Sequence, residues 1–135
     1  LNIGSADFIM SFWMKTDGVQ DLYSLIVSKD GWINIGNGTY NNTNGSIILD
    51  YFGTENSPDI ISTSPVNDGK WHQITVARVK NNLLLEVDSV NQHEVAANKI
   101  DMNLQGIRLG RWIGNNLTDN NYRGWIDLFK LEVLK

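Results

Sequence analysis

The feature that most constrains the fold of this chain is a two-residue alternation of apolar and more polar side chains. Phe8, Met10, Phe12 and Met14 occupy every second position of one run, and residues 71–80 form a longer run of the same kind. A period of two places alternate side chains on opposite faces of an extended strand, whereas an amphipathic helix repeats after about 3.6 residues. These runs therefore predict strands.

Turn-forming residues separate the predicted strands from one another. The 12 glycines and an unusually large number of asparagines fall between the apolar runs, and there are only 2 prolines. About ten short strands separated by such turns are typical of an antiparallel sandwich or barrel. The best helical segment, Glu94–Met102, is expected to hold one turn, and a single domain is expected over residues 1–135. The further predicted strands are residues 22–29, 32–35, 46–52, 60–63, 83–87, 92–96, 107–112 and 124–134.

Composition and charge exclude several classes of protein. With 0 cysteines the chain has no disulfide, zinc–thiolate site or thiol nucleophile. A net charge of -4 argues against a nucleic-acid partner, because no basic stripe is present to neutralise phosphates. No apolar run approaches the roughly 20 residues of a membrane helix, so no membrane insertion is expected. The chain begins without Met or a signal-peptide pattern and is interpreted as a mature product or a piece of a larger protein.

One segment carries a family resemblance. An Asp68-Gly69 turn precedes Trp71-His72, an alternating strand then runs to Arg78, and a return strand ends at Val87-Asp88. This order resembles the laminin-G-like, concanavalin-A-like jelly-roll domains. Residues 1–15, 25–29, 107–111 and 122–127 resemble other strands of that family in the right order. The resemblance implies an all-β fold, an antiparallel β-sandwich of the concanavalin-A-like jelly-roll type.

Two departures from the family pattern have structural consequences. Ser89 stands where the family usually has glycine, which predicts a longer turn or another turn type at residues 88–91. The family also usually has one more strand before Leu1. Either the sequence is a trimmed piece that lacks this strand, or the strand at 125–134 has an exposed neighbour position, which is a docking site or an aggregation liability.

The acidic residues do not predict an active site. Glucanase relatives of the fold need paired carboxylates on one strand, and this chain has Trp125 where the nucleophile would stand. Asp127 and Glu132 are five residues apart and would face opposite sides of a regular strand, while Glu86 and Asp88 share a face but have no third group nearby. His72 is interpreted as a histidine at the edge of the core that hydrogen-bonds a neighbouring strand. No catalytic residue is predicted, and the chain is expected not to be an enzyme.

Aromatic and amide side chains in the loops favour a sugar-binding site. A protein holds a sugar by stacking an aromatic ring on its C–H face and by hydrogen bonds to its rim. The alternative is that Trp32, Trp112 and Trp125 pack into the sandwich. The predicted ligand-binding residues are Trp32, Tyr40, Arg111, Trp112, Asn115, Asn116, Tyr122 and Arg123.

Calcium is the ion that the resemblance implies, since the family often holds one structural calcium at a loop edge and calcium prefers oxygen ligands. Asp17 and Asp21 form a weaker alternative site. The candidate ligands are Asp30, Asp50, Asp119 and Asp127.

Together these observations predict a non-catalytic carbohydrate-binding module of a secreted or surface protein from a bacterium or phage. Its expected partners are a glycan or polysaccharide and the neighbouring domains of a parent protein, and its expected location is extracellular, on a cell surface or on a virion. The alternative is an interaction, adhesion or assembly domain without glycan binding, which docks through the open edge near the chain ends.

Overall fold

The described part of the chain is built from strands. A computed structural model describes residues 2–4, 6–18, 24–28, 32–35, 44–50, 60–80, 82–96, 102–103, 108–110 and 122–135. In these ranges there are twelve strands and no helix: β1 Asn2–Gly4, β2 Phe8–Lys15, β3 Ser24–Ser28, β4 Trp32–Ile35, β5 Ser46–Asp50, β6 Ile60–Pro65, β7 Trp71–Val79, β8 Asn82–Val87, β9 Val90–Ala96, β10 Met102–Asn103, β11 Arg108–Leu109 and β12 Trp125–Val133.

The two described ends of the segment 94–102, in which one helical turn is expected, are in strands, and residues 97–101 lie outside the described ranges. Strand β9 continues through Ala96, and β10 begins at Met102. The reason is the pairing of β9 with β8, in which Glu94 lies opposite Leu84 and Ala96 opposite Asn82. This ladder pairs the backbone groups of β9 that face β8, so at residues 94–96 tertiary pairing overrides a weak helical preference.

The strands form two five-stranded antiparallel sheets and a small separate pair. Sheet I has the order β12-β2-β7-β8-β9 and sheet II the order β11-β3-β4-β5-β6, while β1 pairs with β10. The antiparallel β-sandwich expected from the sequence is confirmed, and so is the hairpin of β7 and β8.

The core lies between the two sheets, and the alternating residues of β2 supply much of it. Phe8, Met10, Phe12 and Met14 are at most 4% exposed, while the residues between them are half-buried. They pack with apolar side chains of β5, β6, β7 and β8 in one cluster. Each large apolar side chain buried in this way stabilises the fold by about 1.5–3 kcal/mol.

A β-bulge in β12 shifts the phase of that strand. Asp127 lies opposite Trp13 and Lys130 opposite Ser11, so β12 carries one extra residue, and Leu128 has a φ of 50°. The Leu128 N–H donates to Asp127 Oδ1 at 2.7 Å. As a result Ile126 lies on the core side before the bulge, whereas Phe129 and Leu131 lie on that side after it.

The bulge corrects one sequence expectation. Glu132 lies opposite Ile9 and Asp127 opposite Trp13, and both partners are on the outer face of β2, so the two carboxylates share a face instead of pointing to opposite ones. Four residues of β2 still separate the two positions, which is about 13 Å. This distance is too long for the paired carboxylates of a glycosidase.

The turn between β8 and β9 consists of Asp88 and Ser89 alone, so the longer turn, one of the two expected forms, is not present. Val87 lies opposite Val90, so two residues make the turn, and the φ angles of Asp88 and Ser89 are 52° and 64°. A two-residue turn with both φ angles positive matches the right-handed twist of a hairpin and favours asparagine or aspartate followed by glycine. Ser89 therefore holds a conformation that suits glycine better.

We expect Ser89→Gly to stabilise the chain by about 1 kcal/mol because glycine enters this region without the steric cost that a Cβ carries. Thermal unfolding should show an increase in Tm of about 4 °C. Ser64→Gly is the matched control, since Ser64 lies in strand β6 and glycine should lower Tm there. A lower Tm for Ser89→Gly would contradict this account of the turn.

Candidate functional site

Two exposed tryptophans and a lysine lie in one row on the outer face of sheet I. The register places Trp125 of β12 and Trp71 of β7 on either side of Lys15 in β2. Lys15 belongs to the half-buried set of β2 residues, which alternates with the core set, so the row points away from the core. Trp71 is 43% and Trp125 58% exposed. Such large exposed rings need an explanation, because a stable fold normally buries them.

The neighbouring row completes an aromatic surface. Trp13 lies between Asp127 and Gln73 in the register and is half-buried. The Lys15 ammonium is 5.7 Å from the centre of the Trp125 ring, a cation–π contact. We call Trp13, Lys15, Trp71 and Trp125 the tryptophan platform. Two strand spacings separate the Trp71 and Trp125 positions, which is about 10 Å.

Tyr122 and Gly124 fix the start of β12 beside β2 and so position the platform. The Tyr122 hydroxyl donates to the carbonyl oxygen of Lys15 at 2.9 Å, and burial raises the pKa of this phenol. Thr16 Oγ1 donates to the Arg123 carbonyl oxygen at 2.8 Å. Gly124 has a φ of 157°, and a Cβ there would collide with the Lys15 carbonyl oxygen and the Tyr122 hydroxyl. These contacts of residues 122–124 fix the path of the chain where it enters β12 at Trp125.

Few of the ligand-binding residues predicted from the sequence fall on described side chains. Tyr122 is half-buried against the core and its hydroxyl is engaged with Lys15, while Arg123 is exposed beside the platform strand. Trp32 lies in β4, and its side chain is outside the description. The alternative that Trp125 packs into the sandwich is wrong. The remaining predicted residues lie outside the described ranges and stay predictions: Tyr40, Arg111, Trp112, Asn115 and Asn116.

The proposed calcium ligands are likewise mostly outside the described residues. Asp30, Asp119 and Asp21 fall there, and Asp50 lies in β5 without a described side chain. Asp127 is described and exposed, and one of its oxygens accepts the Leu128 N–H. Within the described ranges, no three His, Asp or Glu side chains converge in a way that could hold a metal ion. The calcium site stays a prediction for the loops.

A second polar cluster lies at the end of sheet I, where His72 bridges two turns. Its Nδ1 lies 2.8 Å from Asp88 Oδ2, and its Nε2 lies 2.9 Å from Asp68 Oδ1. The same carboxylates accept backbone N–H groups, Asp88 from Gln73 at 2.8 Å and Asp68 from Lys70 at 2.9 Å. His72 is largely buried, as expected of a residue at the edge of the core, but its hydrogen-bond partners are the turn residues Asp68 and Asp88 and not a residue of a neighbouring strand. The sequence reading missed Asp68, although its spacing of four from His72 across a turn was visible.

The charges of the cluster stabilise one another. Burial lowers the pKa of His72, but the hydrogen bonds that its ring N–H groups donate to both carboxylates outweigh burial and raise this pKa above 6.5. The hydrogen bond from His72, with a smaller contribution from the Lys70 N–H, holds the pKa of Asp68 well below 3.8. When protonated, the His72 ring donates a hydrogen bond to each of the two carboxylates and so holds the turn before β7 to the turn between β8 and β9.

The His72 cluster predicts a pH dependence of stability. His72 has a raised pKa, so its contribution is complete below its ordinary pKa of 6.5 and disappears as the pH rises through the folded value. Asp68 has a lowered pKa, so its contribution is complete above its ordinary pKa of 3.8 and disappears as the pH falls toward the folded value. The cluster therefore stabilises the fold most between these two ordinary values.

We expect the Tm of the wild-type chain to fall as the pH rises from about 6.5 to about 8, and the Tm of His72→Gln to change less over this range. His93 is present in both proteins, so the difference between their pH profiles isolates His72. Parallel profiles would show that His72 is not charged in the folded chain.

Comparison with known proteins gives one family match. The family model described as Laminin G domain matches residues 42–132, about two thirds of the chain. No curated protein sequence matches significantly.

Solved structures share the fold at low sequence identity. The chain is similar to a candidate carbohydrate-binding protein from Bacteroides ovatus, with a TM-score of 0.75 and 11% identity over 93% of this chain and 37% of that one. It is also similar to domain 4 of the extracellular arabinanase AbnA from Geobacillus stearothermophilus in complex with arabinotriose, with a TM-score of 0.64 and 15% identity over 93% of this chain and 60% of that one. A third similar structure, mouse laminin α1 domains LG4-5, has a TM-score of 0.56 and 18% identity over 99% of this chain and 38% of that one. The chain thus spans less than two thirds of each of these relatives.

Proposed function

This chain belongs to the laminin G domain family, and from that premise we propose that it is a non-catalytic carbohydrate-binding domain that holds a glycan on the tryptophan platform. The observation that carries the proposal is the exposure of Trp71 and Trp125 on one face, on either side of Lys15. The two similar structures with carbohydrate-related names support the same class of ligand.

The chemistry of the platform suits a sugar chain. An indole ring offers a flat apolar surface to the C–H face of a sugar, and the distance of about 10 Å between the two tryptophan positions leaves room for a ligand of more than one ring. Gln73, Asp127 and Ser11 lie in the adjacent rows of the outer face and supply hydrogen-bonding groups for the sugar rim. Lys15 between the rings adds a donor.

The non-catalytic part of the proposal is supported by the carboxylates of Asp68, Asp88, Asp127 and Glu132. Asp88 and Asp68 are bonded to His72, and about 13 Å separates the positions opposite Asp127 and Glu132. A glycosidase needs an acid and a second carboxylate flanking one bond.

We propose an extracellular location and attachment to further domains of a parent protein. The laminin G family and the extracellular arabinanase support the location. Among the described residues there is no helix long and apolar enough to cross a membrane. A single domain over residues 1–135 is part of the same proposal.

The test is a glycan array with the folded chain, followed by titration of the best ligand. We expect Trp71→Ala and Trp125→Ala each to weaken binding about tenfold, since each removes one stacking surface. Val90→Ala is the control, because Val90 is 61% exposed at the start of β9, away from the platform. Binding by no glycan, or binding that both tryptophan variants retain, would overturn the proposal.

A chelator distinguishes the platform from the loop site predicted from the sequence. Binding on the platform should survive removal of calcium. Binding that is lost with chelator and retained by both tryptophan variants would instead place the glycan at the loops that contain Asp30 and Asp119.

A further inference from the structure

Both ends of the tryptophan platform are attached to one buried residue, Thr16, which directly follows β2 and is 1% exposed. Its carbonyl oxygen accepts the Gly69 N–H at 2.9 Å, and Gly69 lies two residues before Trp71. Its Oγ1 donates to the Arg123 carbonyl oxygen at 2.8 Å, and Arg123 lies two residues before Trp125. The segments that lead into the two exposed tryptophans are therefore both fixed to the same point at the end of β2.

The backbone sets the separation of the two tryptophan positions. Trp125 and Trp71 pair with opposite sides of Lys15, so two interstrand spacings, about 10 Å, lie between them. Backbone hydrogen bonds hold the strands at this spacing, and the contacts of Thr16 hold the preceding segments against the end of β2. The platform thus offers two stacking positions whose distance does not have to be adjusted when a ligand binds, which lowers the cost of binding.

One class of glycan presents matching faces at this distance. In an extended β-1,4-linked chain of hexopyranoses each ring is turned over relative to the one before it, so every second ring presents the same face on the same side. The disaccharide repeat of such a chain is about as long as two interstrand spacings. A trisaccharide can therefore place its first ring on one tryptophan and its third ring on the other. An α-1,4-linked chain coils and does not keep this repeat.

The charges of the platform and of the neighbouring row balance. Lys15 lies in the row with the two exposed tryptophans, and Asp127 lies in the next row with Trp13 and Gln73. One positive and one negative side chain among these residues give no net charge to attract a polyanion. Lys15 donates hydrogen bonds, Asp127 accepts them and the Gln73 amide does both, which suits the hydroxyl groups of an uncharged sugar.

We propose that the ligand of the tryptophan platform is an uncharged, extended β-1,4-linked polysaccharide of hexopyranoses, and that alternate rings of its chain stack on Trp71 and Trp125. This inference rests on the proposed carbohydrate function and names the class of glycan. Thr16 is a positioning residue, because it is buried and fixes the distance between the two stacking surfaces. Glucose, N-acetylglucosamine and mannose all form chains of this shape, so the experiment compares them.

Isothermal titration calorimetry with cellotriose, chitotriose and β-1,4-mannotriose tests the class and identifies the sugar. We expect at least one of them to bind about tenfold more tightly than its disaccharide, since only the trisaccharide reaches both rings. Maltotriose contains the glucose of cellotriose in α-1,4 linkage and should bind about tenfold more weakly than the best of the three. A derivative of that best ligand oxidised to carboxylates at C6 should gain no affinity.

Variants show whether the gain from the third ring depends on both tryptophans and on their spacing. In Trp125→Ala the trisaccharide and the disaccharide should bind equally, because one stacking surface is left. Thr16→Val keeps the size and the carbonyl of Thr16 but removes the donor to Arg123. It should reduce the gain, while the affinity for the disaccharide stays within about twofold of the wild type. Thr16→Ser keeps the hydroxyl and should restore the gain. Circular dichroism checks that each variant is folded.

The outcomes separate this inference from the proposed function. Binding by no glycan on the array contradicts both. Glycan binding that Trp71→Ala weakens overturns only the inference of an uncharged β-1,4-linked chain in four cases: none of the three trisaccharides binds, the third ring gives no gain, maltotriose binds equally well, or the oxidised derivative binds more tightly. A gain that Thr16→Val retains in full overturns the positioning role of Thr16.

Discussion

Gly124→Ala is expected to destabilise the chain by about 3 kcal/mol and to abolish binding on the tryptophan platform. Gly124 has a φ of 157°, a region that side-chain-bearing residues avoid. A Cβ there would also collide with the Lys15 carbonyl oxygen and lie 2.5 Å from the Tyr122 hydroxyl. The carbonyl belongs to the backbone of β2, so the clash cannot be relieved by turning a side chain.

Alanine substitutions at two other glycines show how much of the expected destabilisation comes from backbone strain and how much from the steric clash. Gly110 has a φ of 76° and Gly18 has no positive φ, and a Cβ would meet nothing within 4 Å at either. Gly110→Ala should therefore cost about 1–2 kcal/mol from backbone strain alone, and Gly18→Ala should be close to neutral. Urea unfolding measures all three, and a Gly124→Ala chain as stable as Gly18→Ala would contradict the close approach of β12 to β2.

The alternation in β2, β7 and β8 was sufficient to predict the strands, their buried face and the hairpin, because burial of one face determines the phase of a strand. The same alternation contained a signal for the platform that the sequence reading did not use. Trp13 and Lys15 are out of phase with the core set of β2, and Trp71 is out of phase with Ile74. These positions indicate outward-facing tryptophans.

The proximity of these tryptophans in the folded chain could not be predicted from the sequence. Trp13, Trp71 and Trp125 come together only through the registers of β2 with β7 and with β12, which join residues far apart in the chain. The bulge at Leu128 was equally hidden, since one extra residue in a ladder depends on what the partner strand offers. The assumption of a regular strand therefore gave the wrong faces for Asp127 and Glu132.

Arg78→Ala is expected to destabilise the chain by about 3 kcal/mol. The Arg78 side chain is 3% exposed in spite of its charge, and its guanidinium donates through Nε and Nη2 to the Ala6 carbonyl oxygen, at 3.1 Å for Nε. It also lies 5.3 Å from the centre of the Phe8 ring. Its removal leaves a carbonyl without its donor and a cavity beside a fully buried ring.

Substitution of Arg78 by lysine shows whether the charge of Arg78 or its planar guanidinium group stabilises the fold. Lysine keeps the charge but not the planar fork, so Arg78→Lys should recover less than half of the loss. Lys80→Ala is the control, since the exposed Lys80 uses its backbone N–H, not its side chain, to bind Asp7. Urea unfolding should place Lys80→Ala within about 0.5 kcal/mol of the wild type. Phe8 is the first residue of β2, Ala6 precedes it, and Arg78 is the second-last residue of β7. A small effect of Arg78→Ala would therefore mean that the β2–β7 ladder alone holds these two strand ends together.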